Sequence, residues 1–133
     1  MKKVLTIGVF DLLHLGHVML FQKAKNFGDY LIVAVQKDEY INKFKNCSVV
    51  YDLNERLYMV NSIKYVNEVC SYTEANNIMN EIEFDIWVKG PDQNHVGFQI
   101  LENWCKANNK EVITLPRTEG VSSSTLREYL KDK

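Results

Sequence analysis

Apolar residues follow two rhythms along this chain. Short runs rich in β-branched side chains alternate with longer stretches in which apolar positions return every three or four residues. The first run, residues 4–9, reads as a buried strand, and a helix follows over residues 18–27, ending at Gly28. "DYLIVAVQ" is a second buried strand. Residues 38–52 carry lysines and little periodicity, and read as a loop with one helical turn at most. "DLNERLYMVNSIKYV" then returns Leu53, Leu57, Val60 and Ile63 at helical spacing, with Asp52 and Glu55 as a candidate capping box. "NEVCSY" reads as a short strand and "TEANNIMNEI" as a short helix opened by Thr73. "FDIWVKG" is a strand stopped by Gly90-Pro91. A helix over "VGFQILENWCKANN", a strand at "EVITLP", a loop at "RTEGVS" and a helix over residues 123–130 complete the order.

Strand and helix alternate throughout. That order predicts the α/β class: a Rossmann-like, doubly wound parallel sheet with helices on both faces, one domain over residues 1–133. Ligands of such sheets bind beyond the carboxyl ends of the strands, where strand order reverses. Residues 8–17, 89–94 and 116–124 fall at such ends, and each segment carries glycine or polar residues suited to a phosphate.

Composition narrows the choice of function. A chain of 133 residues with 46% apolar and 25% charged content is an ordinary globular domain with its own core. A formal net charge of −1 supplies no overall basic field for nucleic acid or a membrane surface. No apolar run has the length of a membrane span, and the first residues lack a signal-peptide pattern. Cys47, Cys70 and Cys105 are odd in number and far apart, which fits neither a disulfide framework nor a metal pattern. They read as small hydrophobes in a cytoplasmic protein rather than as catalytic thiols.

Chemistry is suggested first by "GVFDLLHLGH". His14 and His17 flank Gly16 where a strand gives way to a helix, so they sit among unpaired backbone N–H groups at the positive end of the helix dipole. A lone histidine there would be a capping or core residue. Two beside a glycine, which lets a ligand approach the backbone, read better as a phosphate site, with the imidazoles drawn toward their protonated form. Zinc is a weaker alternative, because His95 is remote and no cysteine is near. The second segment, "LPRTEGVSSSTLREYL", offers Arg117 for a forked phosphate contact, Gly120 for an unusual turn, and hydroxyls from Ser122 to Thr125. Alone, it would pass for a solvated loop with a Ser/Thr cap.

Together these segments resemble the HxGH nucleotidyltransferases, and most closely the glycerol-3-phosphate cytidylyltransferases. "GVFDLLHLGH" is similar to the HxGH signature, and "RTEGVSS" to the family's R-T-E-G-[IV]-S-[ST]. "GDYLIVAV", "ERLYMVNSIKYVNEV" and "LPRTEG" also stand in family order, so the resemblance spans nearly the whole chain. It implies transfer of CMP from CTP to a small phosphorylated alcohol, with release of pyrophosphate, for synthesis of a cell-surface polymer such as wall or capsule. His14, His17, Lys45 and Arg117 are implied as catalytic. The nucleotide is implied to meet Gly8, Val9, Phe10, Leu15, Gly16, Lys64, Gly90, Asp92, Thr118, Glu119, Gly120, Val121, Ser122 and Ser123. Asp11 and Lys43 are implied on the acceptor. Mg²⁺ is expected with the triphosphate and no protein metal site is expected. A homodimer is expected, with neither nucleic acid nor membrane as a partner.

Several positions depart from the cytidylyl pattern. Val9 stands for the threonine of G-T-F-D, and Lys64 for the arginine of R-Y-V-D-E-V. "SYTEANNIMNEI" has no lysine where the family binds glycerol phosphate. "VKGPDQ" replaces an acidic G-D-D-W and is similar to V-K-G-x-D of heptose-phosphate adenylyltransferases. The acceptor is therefore expected to be a polyol phosphate other than glycerol 3-phosphate, held in part by Lys89 or Gln93. The alternatives are an ATP-dependent adenylyltransferase acting on a sugar phosphate and a non-catalytic nucleotide sensor.

Overall fold

The computed structural model describes residues 1–41 and 49–116. Its centre is a sheet of five parallel strands: β1 (Lys3–Gly8), β2 (Tyr30–Gln36), β3 (Glu68–Tyr72), β4 (Ile86–Lys89) and β5 (Glu111–Thr114), in the order β3-β2-β1-β4-β5. The helices are α1 (Leu15–Lys25), α2 (Asp38–Ile41), α3 (Leu53–Asn61), α4 (Ile78–Glu81) and α5 (Val96–Ala107). The expected Rossmann-like architecture is the observed one. Strand order turns back between β1 and β4, which pair directly through Val4 with Ile86 and Leu5 with Trp87.

Side-chain alternation along the strands builds two cores. Leu31, Val33 and Val35 of β2 join Val4, Ile86 and Val88 under α1 and α3, with Phe21, Ala24 and Val60. Ile32 and Ala34 point the other way and join Leu5, Ile7 and Trp87 against Ile78, Leu101 and Cys105. Both faces of β1, β2 and β4 are thereby covered, so these strands read as unbroken apolar runs rather than alternating ones.

Element types match the sequence reading, and several boundaries move. Helix α1 begins at Leu15, three residues before the expected start, because His14 supplies its N-cap. Helix α3 stops at Asn61 instead of continuing to residue 66. The Ser62 hydroxyl donates to the Tyr58 carbonyl, and the chain turns so that Ile63, Tyr65 and Val66 pack into the core below α1 and α3. The helix expected from Thr73 is broken into a 3₁₀ turn, Ala75–Asn77, followed by α4. Glu74 rather than Thr73 stands at its N-cap, and the Thr73 hydroxyl instead donates to Glu81 Oε1 at 3.4 Å. The expected final helix at 123–130 lies outside the described residues. Among the described residues, no helix is long and apolar enough to cross a membrane.

Candidate active site

The site begins where β1 ends. His14 caps α1 in an extended conformation, and its Nδ1 accepts from the Gly16 backbone N–H at 3.0 Å. His17, at the third helical position, accepts at Nδ1 from the His14 backbone N–H at 3.2 Å. Two histidines thus fill the reciprocal cap usually made by Ser or Thr with Glu or Gln. The chemical consequence is a fixed tautomer. An Nδ1 that accepts an N–H carries no proton, so each neutral ring holds its proton on Nε2. The rings stack with centroids 3.9 Å apart. His14 Nε2 is buried and, among the described residues, has no hydrogen-bond partner.

Burial pushes the His17 imidazole pKa down to about 4, and nearby His14 pushes the same way against the opposing effect of Asp11. Burial also lowers that of His14. Without a phosphate beside them, both rings thus favour the neutral form, which donates through Nε2–H; the expected protonation is that of rings facing a bound anion.

The loop before them is strained and clamped. Phe10 and Leu12 have φ of 53° and 51°, a region that bulky side chains avoid. The Phe10 ring packs edge-on against His17 and Phe21, over Gly8, where a Cβ would stand 3.0 Å from it. The ring therefore supports His17 from the core and leaves only its backbone for a nucleotide. Asp11, expected on the acceptor, is 2% exposed. Its Oδ1 accepts from Leu12 N–H at 3.1 Å and Tyr51 N–H at 3.0 Å, and its Oδ2 from Val50 N–H at 2.6 Å. In the folded chain the carboxylate faces backbone N–H groups and ties the histidine loop to residues 50–51.

Arg56 organises the same region. It is fully buried. Its Nη1 donates to the carbonyls of Val9 and Gln36, both at 2.8 Å, its Nε to Tyr51 O at 3.0 Å, and its Nη2 to Asp38. One guanidinium thus joins the ends of β1 and β2, helix α2 and the entry to α3. A signal was present: Arg56 falls on the same helical stripe as Leu53 and Val60, where an exposed charge does not belong.

Across the reversal point, the turn after β4 approaches this loop. A Cβ on Gly90 would meet nothing within 4 Å, and Asp92 is exposed on the same turn. Gln93 Nε2 donates to the Ile7 carbonyl at 2.7 Å, joining the two loops. Lys89, considered for the acceptor, is instead paired with Glu102 of α5 at 2.8 Å, and Lys106 shares that carboxylate at 3.1 Å. Leu15 is exposed, and the Gly16 N–H is committed to His14.

Lys64 does not join the site within one chain. Helix α3 runs antiparallel to the strands from Asp52, so Lys64 emerges near the amino end of β3, where Asn67 N–H meets Leu31 O at 3.0 Å. The resemblance implies Lys64 on the nucleotide; within this chain it stands away from the histidine loop. Lys43, Lys45, Arg117, Thr118, Glu119, Gly120, Val121, Ser122 and Ser123 lie outside the described residues. Burial pushes the Cys70 and Cys105 thiols up to about 11, which suits small hydrophobes and not nucleophiles.

The family described as cytidylyltransferase-like matches residues 5–129. Glycerol-3-phosphate cytidylyltransferase of Staphylococcus aureus is 38% identical over 136 residues, covering 100% of this chain and 98% of that protein. FAD synthase of Thermococcus sibiricus is 36% identical, covering 86% of this chain and 80% of that one. Among solved structures, a lipopolysaccharide core biosynthesis protein from Thermoplasma volcanium superposes with a TM-score of 0.77 at 26% identity, covering 90% of this chain and 99% of that one. With the HxGH histidines at the start of α1 and the site at the β1/β4 reversal, this chain belongs to the cytidylyltransferase-like family of nucleotidyltransferases.

Proposed function

We propose that this protein transfers CMP from CTP to glycerol 3-phosphate or a closely related small phosphorylated alcohol. An oxygen of the acceptor phosphate attacks the α-phosphorus, the bond to the β-phosphate oxygen breaks, and pyrophosphate leaves. The carrying observation is the pair of imidazoles whose Nδ1 atoms are held by backbone N–H groups, leaving Nε2–H donors at a helix N-terminus. Such a transfer spreads charge over phosphate oxygens, and donors already oriented toward that charge lower the barrier without reorganising. The names of the relatives support the cytidylyl reading. Lys43, Lys45 and Arg117, with the segment from Thr118 to Ser123, are proposed to add cationic and backbone contacts, as the resemblance implies.

Mg²⁺ is proposed to arrive on the triphosphate, where it supplies positive charge. The described residues do not form a cage for it: Asp11 has both oxygens on backbone N–H groups, and both histidine Nδ1 atoms are engaged. A homodimer remains part of this reading for a specific reason. Lys64, at the far edge of its own sheet, reaches a triphosphate only from a second copy.

An adenylyl reading has one observation in its favour, the "VKGPDQ" turn in place of an acidic one, together with the likeness to an FAD synthase. Pyrophosphate release from CTP and from ATP, each with a panel of polyol and sugar phosphates, decides between them. We expect CTP to be preferred in kcat/KM. Preference for ATP overturns the cytidylyl reading, and no release from any pair favours a sensor.

A further inference from the structure

Four buried side-chain polar atoms lack partners among the described residues: Thr6 Oγ1, Trp87 Nε1, His14 Nε2 and Gln93 Oε1. Thr6 and Trp87 lie in mid-strand, 1% and 0% exposed, where no ligand reaches. The other two sit on the loops beyond the strands, one on each side of the β1/β4 reversal. An orphaned buried donor or acceptor is costly unless something completes it.

The orientation of the Gln93 amide is dictated by its neighbour. The Ile7 carbonyl can only accept, so the atom 2.7 Å from it must be the donating Nε2. Oε1 is then the atom left over, and it can only accept. Phosphate oxygens at neutral pH are acceptors too, so Oε1 has nothing to gain from the triphosphate or from the acceptor's phosphate. A hydroxyl can donate to it. Ile7 is the last residue but one of β1, the strand that leads into the histidine loop, and we take the amide to face the nucleotide bound there in the proposed reaction. The group bonded directly to the nucleotide's α-phosphate is the ribose.

We propose that Gln93 is a specificity-determining residue that accepts a hydrogen bond from a substrate hydroxyl, that of the nucleotide's ribose. The proposal rests on the nucleotidyl-transfer reading for the location of the phosphates, but not on which base or acceptor is used. It replaces the expectation that Gln93 holds the acceptor. Anchored through Nε2, the amide is pre-oriented, so the hydrogen bond is made without ordering a free side chain.

Calorimetric binding to the whole protein tests this separately from turnover. The wild type should bind CTP (or ATP, whichever binds more tightly) about 10-fold or more tightly than its 2′-deoxy or its 3′-deoxy analogue. In Gln93→Met, which keeps length and removes the acceptor, that preference should shrink to within about 2-fold. The same cycle is run with glycerol phosphate against a propanediol phosphate lacking the central hydroxyl, each in the presence of nucleotide. Loss of discrimination there instead, or equal weakening on every ligand, overturns the proposal and makes Gln93 an acceptor residue or a bolt between loops. The wild-type preference needs no variant, so misfolding of Gln93→Met does not hide the answer: absence of any deoxy penalty in the wild type also overturns it. Ribose coupling in binding without pyrophosphate release would retain this proposal while rejecting the transferase reading.

Discussion

His14 and His17 stack 3.9 Å apart while each ring's Nδ1 receives a backbone N–H from the turn they share. The same bonds that start helix α1 therefore choose the tautomer of both rings. Replacing either histidine by alanine should lower kcat by roughly 10² or more, since a donor aimed at developing charge is lost. His17→Gln can keep the cap, because Gln is a normal residue at that position, yet it should still lose most of the activity. Steady-state kinetics beside a thermal melt check this, and near-normal turnover in a folded His14→Ala protein refutes it.

Arg56 should matter for stability before it matters for chemistry. Arg56→Met leaves the carbonyls of Val9, Gln36 and Tyr51 without this donor and Asp38 without its cation. Asp38 is 34% exposed, so losing its cation costs little, whereas buried carbonyls left without a donor cost about 1–3 kcal/mol each. Urea unfolding should show a loss of that order, with an m-value unchanged. A loss under about 1 kcal/mol would mean the arginine is replaceable.

Asp11 should act through position. Asp11→Asn keeps the shape but turns an NH₂ toward a backbone N–H, so one of the bonds from Val50, Tyr51 or Leu12 becomes a donor–donor clash. We expect a stability loss of about 1–3 kcal/mol. Because residues 50–51 are tied to the histidine loop through this carboxylate, kcat should fall while the acceptor KM changes little. A rise in acceptor KM alone, with stability intact, would restore Asp11 to the acceptor.

Acid should destabilise the fold through His17. Unfolded, it takes up a proton near 6.5; folded, only near 4. The unfolded chain thus binds more protons between those values, so stability is complete above about pH 6.5 and falls as pH drops toward 4. Its contribution to the loss is about 3 kcal/mol at most. Chemical denaturation between pH 7 and 4.5 should show a shallower decline for His17→Gln than for the wild type. Parallel curves would show that His17 is not buried as a neutral ring.

What the sequence determined by itself was local. Apolar period and cap chemistry marked every described strand and every described helix longer than one turn, because strand burial and helical faces are written within a few residues. The histidine pair was legible for the same reason: an i, i+3 spacing at a strand-to-helix turn places both rings together whatever surrounds them. The tertiary structure decided everything that joins distant segments. Strand order brought Gln93 to Ile7 across 86 positions and Arg56 to Val9 across 47, and no local pattern encodes such meetings. Asp11 and Lys64 show the limit most directly. The resemblance implied both as ligand contacts, but the fold set one carboxylate against backbone N–H groups and brought the lysine out near the amino end of β3. Charge is a property of the residue. What it meets depends on how the crossovers run between parallel strands, and that is settled only when the two cores close.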